Sequence, residues 1–150
     1  MMLDALLQLS SAQAVTASAV STNTIDLSQA RDVGTGSDLY AVFAVDTTAT
    51  AAGAATVTFQ VISSASSNLS SPTILGSTDA IPKADLVAGR APISLCISPS
   101  ALTAAPLGQR YLGVQYTVAT GPLTAGAFTA YITDTEVTGV KSYASGFTVA

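Results

Sequence analysis

Between Thr56 and Ile62 the chain alternates strictly, with Val57, Phe59 and Val61 set against Thr56, Thr58 and Gln60. Successive side chains of an extended strand point to opposite faces, so this segment predicts a strand with its apolar set turned inward. The period returns from Arg110 to Val118, where Leu112, Val114, Tyr116 and Val118 oppose Tyr111, Gly113, Gln115 and Thr117. Leu39–Val45 is apolar on both faces, as in a strand covered on both sides. Ala91–Ile97 and Ala127–Thr133 read as further strands, and Thr73–Leu75 as a short one ending in a turn at Gly76. At the start, Leu3, Ala5, Leu7 and Leu9 alternate with Asp4, Leu6, Gln8 and Ser10, which favours a strand, although Leu3, Leu6 and Leu7 also share a helical face. Val15–Ile25 is rich in β-branched residues and predicts a strand with a break.

The connectors are rich in Gly, Pro, Ser, Thr and Ala. Asp26–Asp38 and Thr47–Ala55 read as loops, Ser63–Ser71 as a polar connector, and Ile81-Pro82 with Asp85–Gly89 as a transition with room for one short helical turn. Gly121-Pro122 between two strands predicts a hairpin. The tail from Val137 to Ala150 carries Tyr143, Phe147 and Val149, a pattern suited to running over a neighbour or along a sheet edge. About eight antiparallel strands, no strong long helical pattern and no internal repeat give an all-β chain, as a sandwich, barrel or jelly roll. No composition shift divides it, so residues 1–150 read as one β domain with N-terminal and C-terminal arms.

Composition narrows the chemistry. With no histidine among 150 residues, Ser-His-Asp triads, Cys-His pairs and histidine-liganded zinc are excluded. Only 9% of residues are charged, against about a quarter in ordinary soluble proteins, which suggests that part of the surface is covered in an assembly. A monomer with a Ser/Thr-rich surface is the alternative. The net charge of −4 and the scattered basic residues argue against direct nucleic-acid binding. The uncharged stretches 47–78 and 111–133 are too rich in Ser, Thr and Gly for membrane helices, and Asp4 stands where a secretory signal needs positive charge. Cys96, in an apolar strand, reads as a small buried hydrophobe.

Several constellations invite a chemical reading and favour a plainer one. Gly34-Thr-Gly36 lacks the longer pattern of a phosphate cradle and reads as a turn. Asp32, Asp38 and Asp46 match no calcium loop and read as solvated turn acids. Asp134 and Glu136 would share a strand face like a hydrolytic carboxylate pair, but read as an exposed acidic strand end. Arg31, Arg90 and Arg110 stand beside turns, where a guanidinium forms bidentate bonds either across an interface or within the chain; Arg31 is the first choice for an interface. No catalytic residue, cofactor or metal is expected.

Two stretches carry a family likeness: Ser11-Ala-Gln-Ala through Val20-Ser-Thr-Asn-Thr-Ile-Asp-Leu to Ala30-Arg-Asp-Val-Gly-Thr-Gly-Ser-Asp-Leu-Tyr40, and Gly108-Gln-Arg-Tyr-Leu-Gly-Val-Gln-Tyr-Thr-Val118 with Gly121-Pro122. Together they resemble the jelly-roll capsid cement proteins of tailed bacteriophages, of the Bordetella-phage type. The resemblance implies a jelly-roll-like sandwich, no enzyme, and a decoration protein on the outer surface of the head after synthesis in the host cytoplasm. Its implied partners are the major capsid protein and itself, as a homodimer or alternatively a homotrimer, with no direct nucleic acid and no membrane. The likeness carries no reactive motif, so the candidate capsid or oligomer interface comes from side-chain chemistry: Arg31, Asp32, Arg110, Tyr111, Tyr143 and Phe147. The alternative function is a carbohydrate- or receptor-binding β module of a phage tail or surface structure, with Tyr40, Tyr111, Tyr116 or Tyr131 as a stacking platform.

Overall fold

A computed structural model describes residues 4–28, 38–98, 100–101, 105–106 and 108–137. Their strands are β1 (Gln8–Ala14), β2 (Ala19–Val20), β3 (Ile25–Asp26), β4 (Leu39–Thr50), β5 (Thr56–Ser64), β6 (Thr73–Ser77), β7 (Ile81–Pro82), β8 (Ile93–Ile97), β9 (Tyr111–Ala119) and β10 (Ala125–Thr133). They form two antiparallel sheets. Sheet A has the order β1-β10-β4-β8; sheet B has the order β2-β9-β5-β6, with β3 also on β9 and β7 also on β5. The pairs β2/β3 and β6/β7 each act as one interrupted strand, which gives eight strand positions, four to a sheet. Apart from the β5–β6 link and the two interruptions, each step from one strand to the next changes sheet. That alternation is the jelly-roll arrangement expected from the resemblance.

The core lies between the sheets. Phe43 and Phe128 enter from sheet A, Phe59 and Tyr116 from sheet B, and all four are fully buried. Phe59 lies 5.0 Å from Phe43, 5.2 Å from Phe128 and 5.8 Å from Tyr116 between ring centroids, meeting the last two edge to face. Such geometry sets positive ring edges on negative faces and contributes about 0.5–1.5 kcal/mol per pair beyond the area buried. Leu9 and Ile97 close around them with Val57, Val61 and Val114, the last three from the inward set that the alternation of β5 and β9 predicts.

One side of the sandwich is closed by amides. Gln13 donates from Nε2 to the Val20 carbonyl (2.8 Å) and accepts from the Thr22 N–H (3.1 Å), while Asn23 donates from Nδ2 and from its backbone N–H to the carbonyls of Gln8 and Leu9. These bonds engage backbone groups at the β1 and β2 edges that would otherwise offer pairing to another chain.

Several sequence expectations change. Ala5–Leu7 form a 3₁₀ turn, and the strand starts at Gln8, because Asp4 accepts from the Leu6 N–H and caps the turn. The 47–55 loop is shorter than expected: β4 runs on to Thr50, which pairs with Ala125 and whose hydroxyl meets that of Thr124 at 2.8 Å. Gly76 lies inside β6, next to Leu95. Lys83–Asp85 form the short helical turn expected in the transition from Ile81 to Gly89. Gly121 makes no hairpin. Thr120 and Gly121 both turn with positive φ (59° and 101°), but the chain then crosses from β9 in sheet B to β10 in sheet A, and Leu123 is buried in the core beside the crossing.

Candidate interaction surfaces

The outer face of sheet B is built by the outward half of each alternation. Gln60 stands opposite Gln115, Thr58 opposite Thr117, and Thr56 opposite Ala119. Thr117 donates its hydroxyl to Gln60 Oε1 at 2.8 Å, so neighbouring side chains order each other across the strands. None of these residues is charged, in a chain whose net charge is −4.

One end of this face is sealed. The 65–72 loop folds back with Ser64 Oγ donating to the Ser70 carbonyl at 2.6 Å and lays Leu69, 2% exposed, over Gly113. A Cβ on Gly113 would stand 2.4 Å from Leu69 Cδ1 and 3.0 Å from Ser21 Oγ, so glycine is what admits the leucine. Leu69 has φ of 55°, an uncommon conformation outside glycine.

At the same end Arg110 forms two bonds to Asp26, Nε to Oδ1 at 2.6 Å and Nη2 to Oδ2 at 2.7 Å, and lies 5.3 Å from the centre of the Tyr111 ring. The Arg110 hydrogen bond, helped by the Ser28 N–H, holds the Asp26 carboxyl below its ordinary range; the same bond raises the Arg110 pKa. Of the two roles open to this arginine in the sequence, the bond within the chain is the one formed. Both partners are about half exposed, so water screens the pair and it adds little to stability.

The other described cations also have acceptors in the chain. Lys83 donates to the Ala51 carbonyl, and Arg90 donates to the carbonyls of Asp85 (2.6 Å) and Ala91 (3.4 Å).

Sheet A presents a different outer face. Asp46 on β4 accepts from Thr129 Oγ1 at 2.7 Å, and Thr129 in turn accepts from the Ala12 N–H at 2.9 Å. Ala12 has φ of 42° within an irregularity of β1 that spans Ser10 to Gln13. Another register shift lies between Gln8 and Ser10, and it turns two consecutive residues, Leu9 and Ser10, into the interior. Ser10 Oγ there meets the Tyr116 hydroxyl at 2.5 Å, joining the two sheets through a buried polar bond. Burial is the main cause that pushes the Tyr116 pKa up to about 12, with the Ser10 bond acting the other way. Strict alternation had set Leu9 and Ser10 on opposite faces, and it misses this bond; no residue type in the segment announces a bulge.

Of the candidate interface residues, the structure describes Arg110 and Tyr111, adjacent at the start of β9. Arg31, Asp32, Tyr143 and Phe147 lie outside the described residues, as do Gly34 and Gly36. Cys96 is exposed, contrary to expectation, because it pairs with Tyr40 on the outward half of β8 while Leu95 and Ile97 take the inward side. Asp134 and Glu136 are both exposed in the segment after β10, as the plainer reading expected. The described residues hold no group of three or more metal-ligating side chains. Of the four tyrosines, Tyr116 is in the core, Tyr111 is on the sheet B side, and Tyr40 and Tyr131 lie in sheet A, in register with Thr133 and Val42.

No curated protein matches the chain. The Bbp16 family model matches residues 9–132, from the first core residue of β1 to the residue before the end of β10. With all but the outermost residue at each end of the sandwich inside that match, the chain belongs to the Bbp16 family, a family of Bordetella phage proteins.

Proposed function

We propose that this chain is a non-enzymatic structural protein of the phage particle, a cement that binds the outside of the head and bridges major capsid protein subunits. The observation that carries the reading is the outer face of sheet B, an array of Gln and Thr side chains without charge. Covering a neutral hydroxyl or amide that keeps a hydrogen bond costs far less than covering an ion, so such a face suits a dry protein contact. The phage family and the absence of histidine from the sequence support the same reading. Many copies on one shell make individually weak contacts sufficient, because each contact raises the effective concentration for the next. A small symmetric oligomer, dimer or trimer, would multiply them further.

The test is add-back to shells that lack the protein, followed by calorimetry of the particles. Saturating wild-type protein raises the melting temperature of the shell, whereas Gln115→Glu, which sets a carboxylate in the middle of the neutral face, binds at least about tenfold more weakly, the equivalent of about 1.4 kcal/mol. A shell that melts unchanged with wild-type protein bound or absent overturns the cement role.

A further inference from the structure

One outward residue of sheet A is buried as a core residue would be. Val42 alternates with Ala41 and Phe43, and Tyr131 with Ala130 and Ile132, all four of them in the core, so Val42 and Tyr131 point to the outer face. They stand in one row across the sheet, which runs from Ser94 on β8 through Val42 and Tyr131 to Gln8 on β1. Val42 is nevertheless 0% exposed and Tyr131 only 8%. An aliphatic side chain on the outside of a sheet reaches full burial beneath a cover.

Among the described residues, the segment after β10 starts such a cover. The Thr135 N–H donates to Thr133 Oγ1 at 3.3 Å, and the Val137 carbonyl accepts from Ser94 Oγ at 3.0 Å. Ser94 alternates with Ile93 and Leu95, which pack on the core, so the chain has left β10, passed β4 and arrived on the outer side of β8, at one end of the row. Burial and then the carboxylates of Asp38 and Glu136 raise the Cys96 pKa, which sets Glu136 on the same side. At the other end of the row a groove of about 180 Å³ opens beside the 3₁₀ turn, lined by Asp4, Ala5, Gln8, Thr129 and Tyr131.

We infer that residues 138–150 of the same chain continue from Val137 as a strap across the outer face of sheet A, over Val42 and Tyr131 towards that groove. The reach is ample. Neighbouring strands lie about 4.8 Å apart, so the row is about 14 Å long, whereas residues 138–150 in extended form span about 40 Å. The sequence suits a one-sided cover: Tyr143, Ser145, Phe147 and Val149 alternate with Ala144, Gly146, Thr148 and Ala150, which places the large apolar side chains on one face and small ones on the other. Lys141 is the segment's one charged side chain, and it meets a side whose exposed acids include Asp46, Asp134 and Glu136, while Lys83, Arg90 and Arg110 are engaged elsewhere. Connection selects the occupant. A segment tethered at Ser94 meets this face at a high effective concentration, and a second copy laid on it would oppose acid to acid. The strap goes beyond the shell-binding reading and stands apart from it.

Two measurements on the full-length protein test it. Nuclear Overhauser contacts are expected from the Val42 methyls and the Tyr131 ring to side chains of residues 138–150. In a mixture of isotope-labelled and unlabelled chains, filtered spectra should show none of these contacts between copies. Absence of the contacts within one chain, or contacts only between copies, overturns the inference. The paired substitution Tyr143→Ser with Phe147→Ser should speed amide hydrogen exchange in residues 138–150 at least about tenfold and shift the amide signals of Val42, Tyr131 and Gln8, leaving those of Gln60 and Thr117 on sheet B in place. Lys141→Gln should act in the same direction with a smaller effect that shrinks as salt is raised. Unchanged exchange and unchanged signals in the paired variant also overturn the strap. Neither readout involves shells, so its failure leaves the cement reading standing, and failure of the add-back assay leaves the strap standing.

Discussion

The outer faces of the two sheets come from the same alternation and the same core, yet they differ in character. Sheet B turns out Gln60, Gln115, Thr58 and Thr117, all neutral, with Thr117 bonded to Gln60, and the ion pair of Asp26 with Arg110 cancels itself. Sheet A turns out Asp46 and Thr129 beside a groove with Asp4 at its lip. The inward residues decide that the sandwich forms and leave the outward ones free to be chosen for contact. One scaffold thereby carries a neutral face and a face with exposed carboxylates, back to back.

Removing what the faces share has the largest expected effect. Phe59 touches rings from both sheets, and Phe59→Ala should cost about 3–5 kcal/mol, unfolding both faces in a single transition by chemical denaturation. Loss of one sheet's signal before the other's would break the view of a common core. Next comes a change confined to sheet B. Gly113→Ala drives a methyl into Leu69, and should cost about 1–3 kcal/mol. Adding Leu69→Ala to that variant should cost less than Leu69→Ala does alone, since the clash is then gone. Full additivity would mean that the loop shifts aside freely.

The smallest effect sharpens the link between the sheets. Tyr116→Phe leaves the buried Ser10 hydroxyl without its partner and should cost about 1–2 kcal/mol, with Ser10→Ala on top adding less than it does alone. The same tyrosine sets an alkaline limit. Its pKa is raised from 10.0 to about 12 by burial, so the folded protein holds a proton that the unfolded chain releases first. The stability linked to that proton is intact below pH 10 and declines as pH rises towards 12, a decline that Tyr116→Phe should lessen in pH-jump denaturation curves.

Much of this architecture is legible in the sequence, because period two is dictated by the pleat itself. The inward set of β5 and β9 is read correctly from Val57, Phe59, Val61, Leu112, Val114 and Tyr116. What escapes is decided at longer range. A turn signal such as Gly121 marks where a chain reverses, not which sheet it joins, so the expected hairpin is a crossing. Threonines that look like loop in Thr47–Thr50 become strand because β10 lies alongside to pair with them. Cys96 was misplaced for a different reason: its neighbours are apolar, but register with Tyr40 sets it outward. The groove was hidden because Asp4 and Tyr131 are far apart in sequence and meet only through the pairing of Gln8 with Tyr131. The interface residues Arg31, Asp32, Tyr143 and Phe147 drew on side-chain chemistry alone, and lie outside the described residues.

The pairing of β1 with β10 joins Gln8 to Tyr131, near opposite ends of the described chain. During synthesis the earliest strand emerges long before its mate, and sheet A is completed only after Thr133 has left the ribosome. Ring closure of that length makes completion of sheet A a late step of folding, governed by loop entropy. Until then the nascent polypeptide holds an unmated β1 edge, the stage at which chaperone protection matters most.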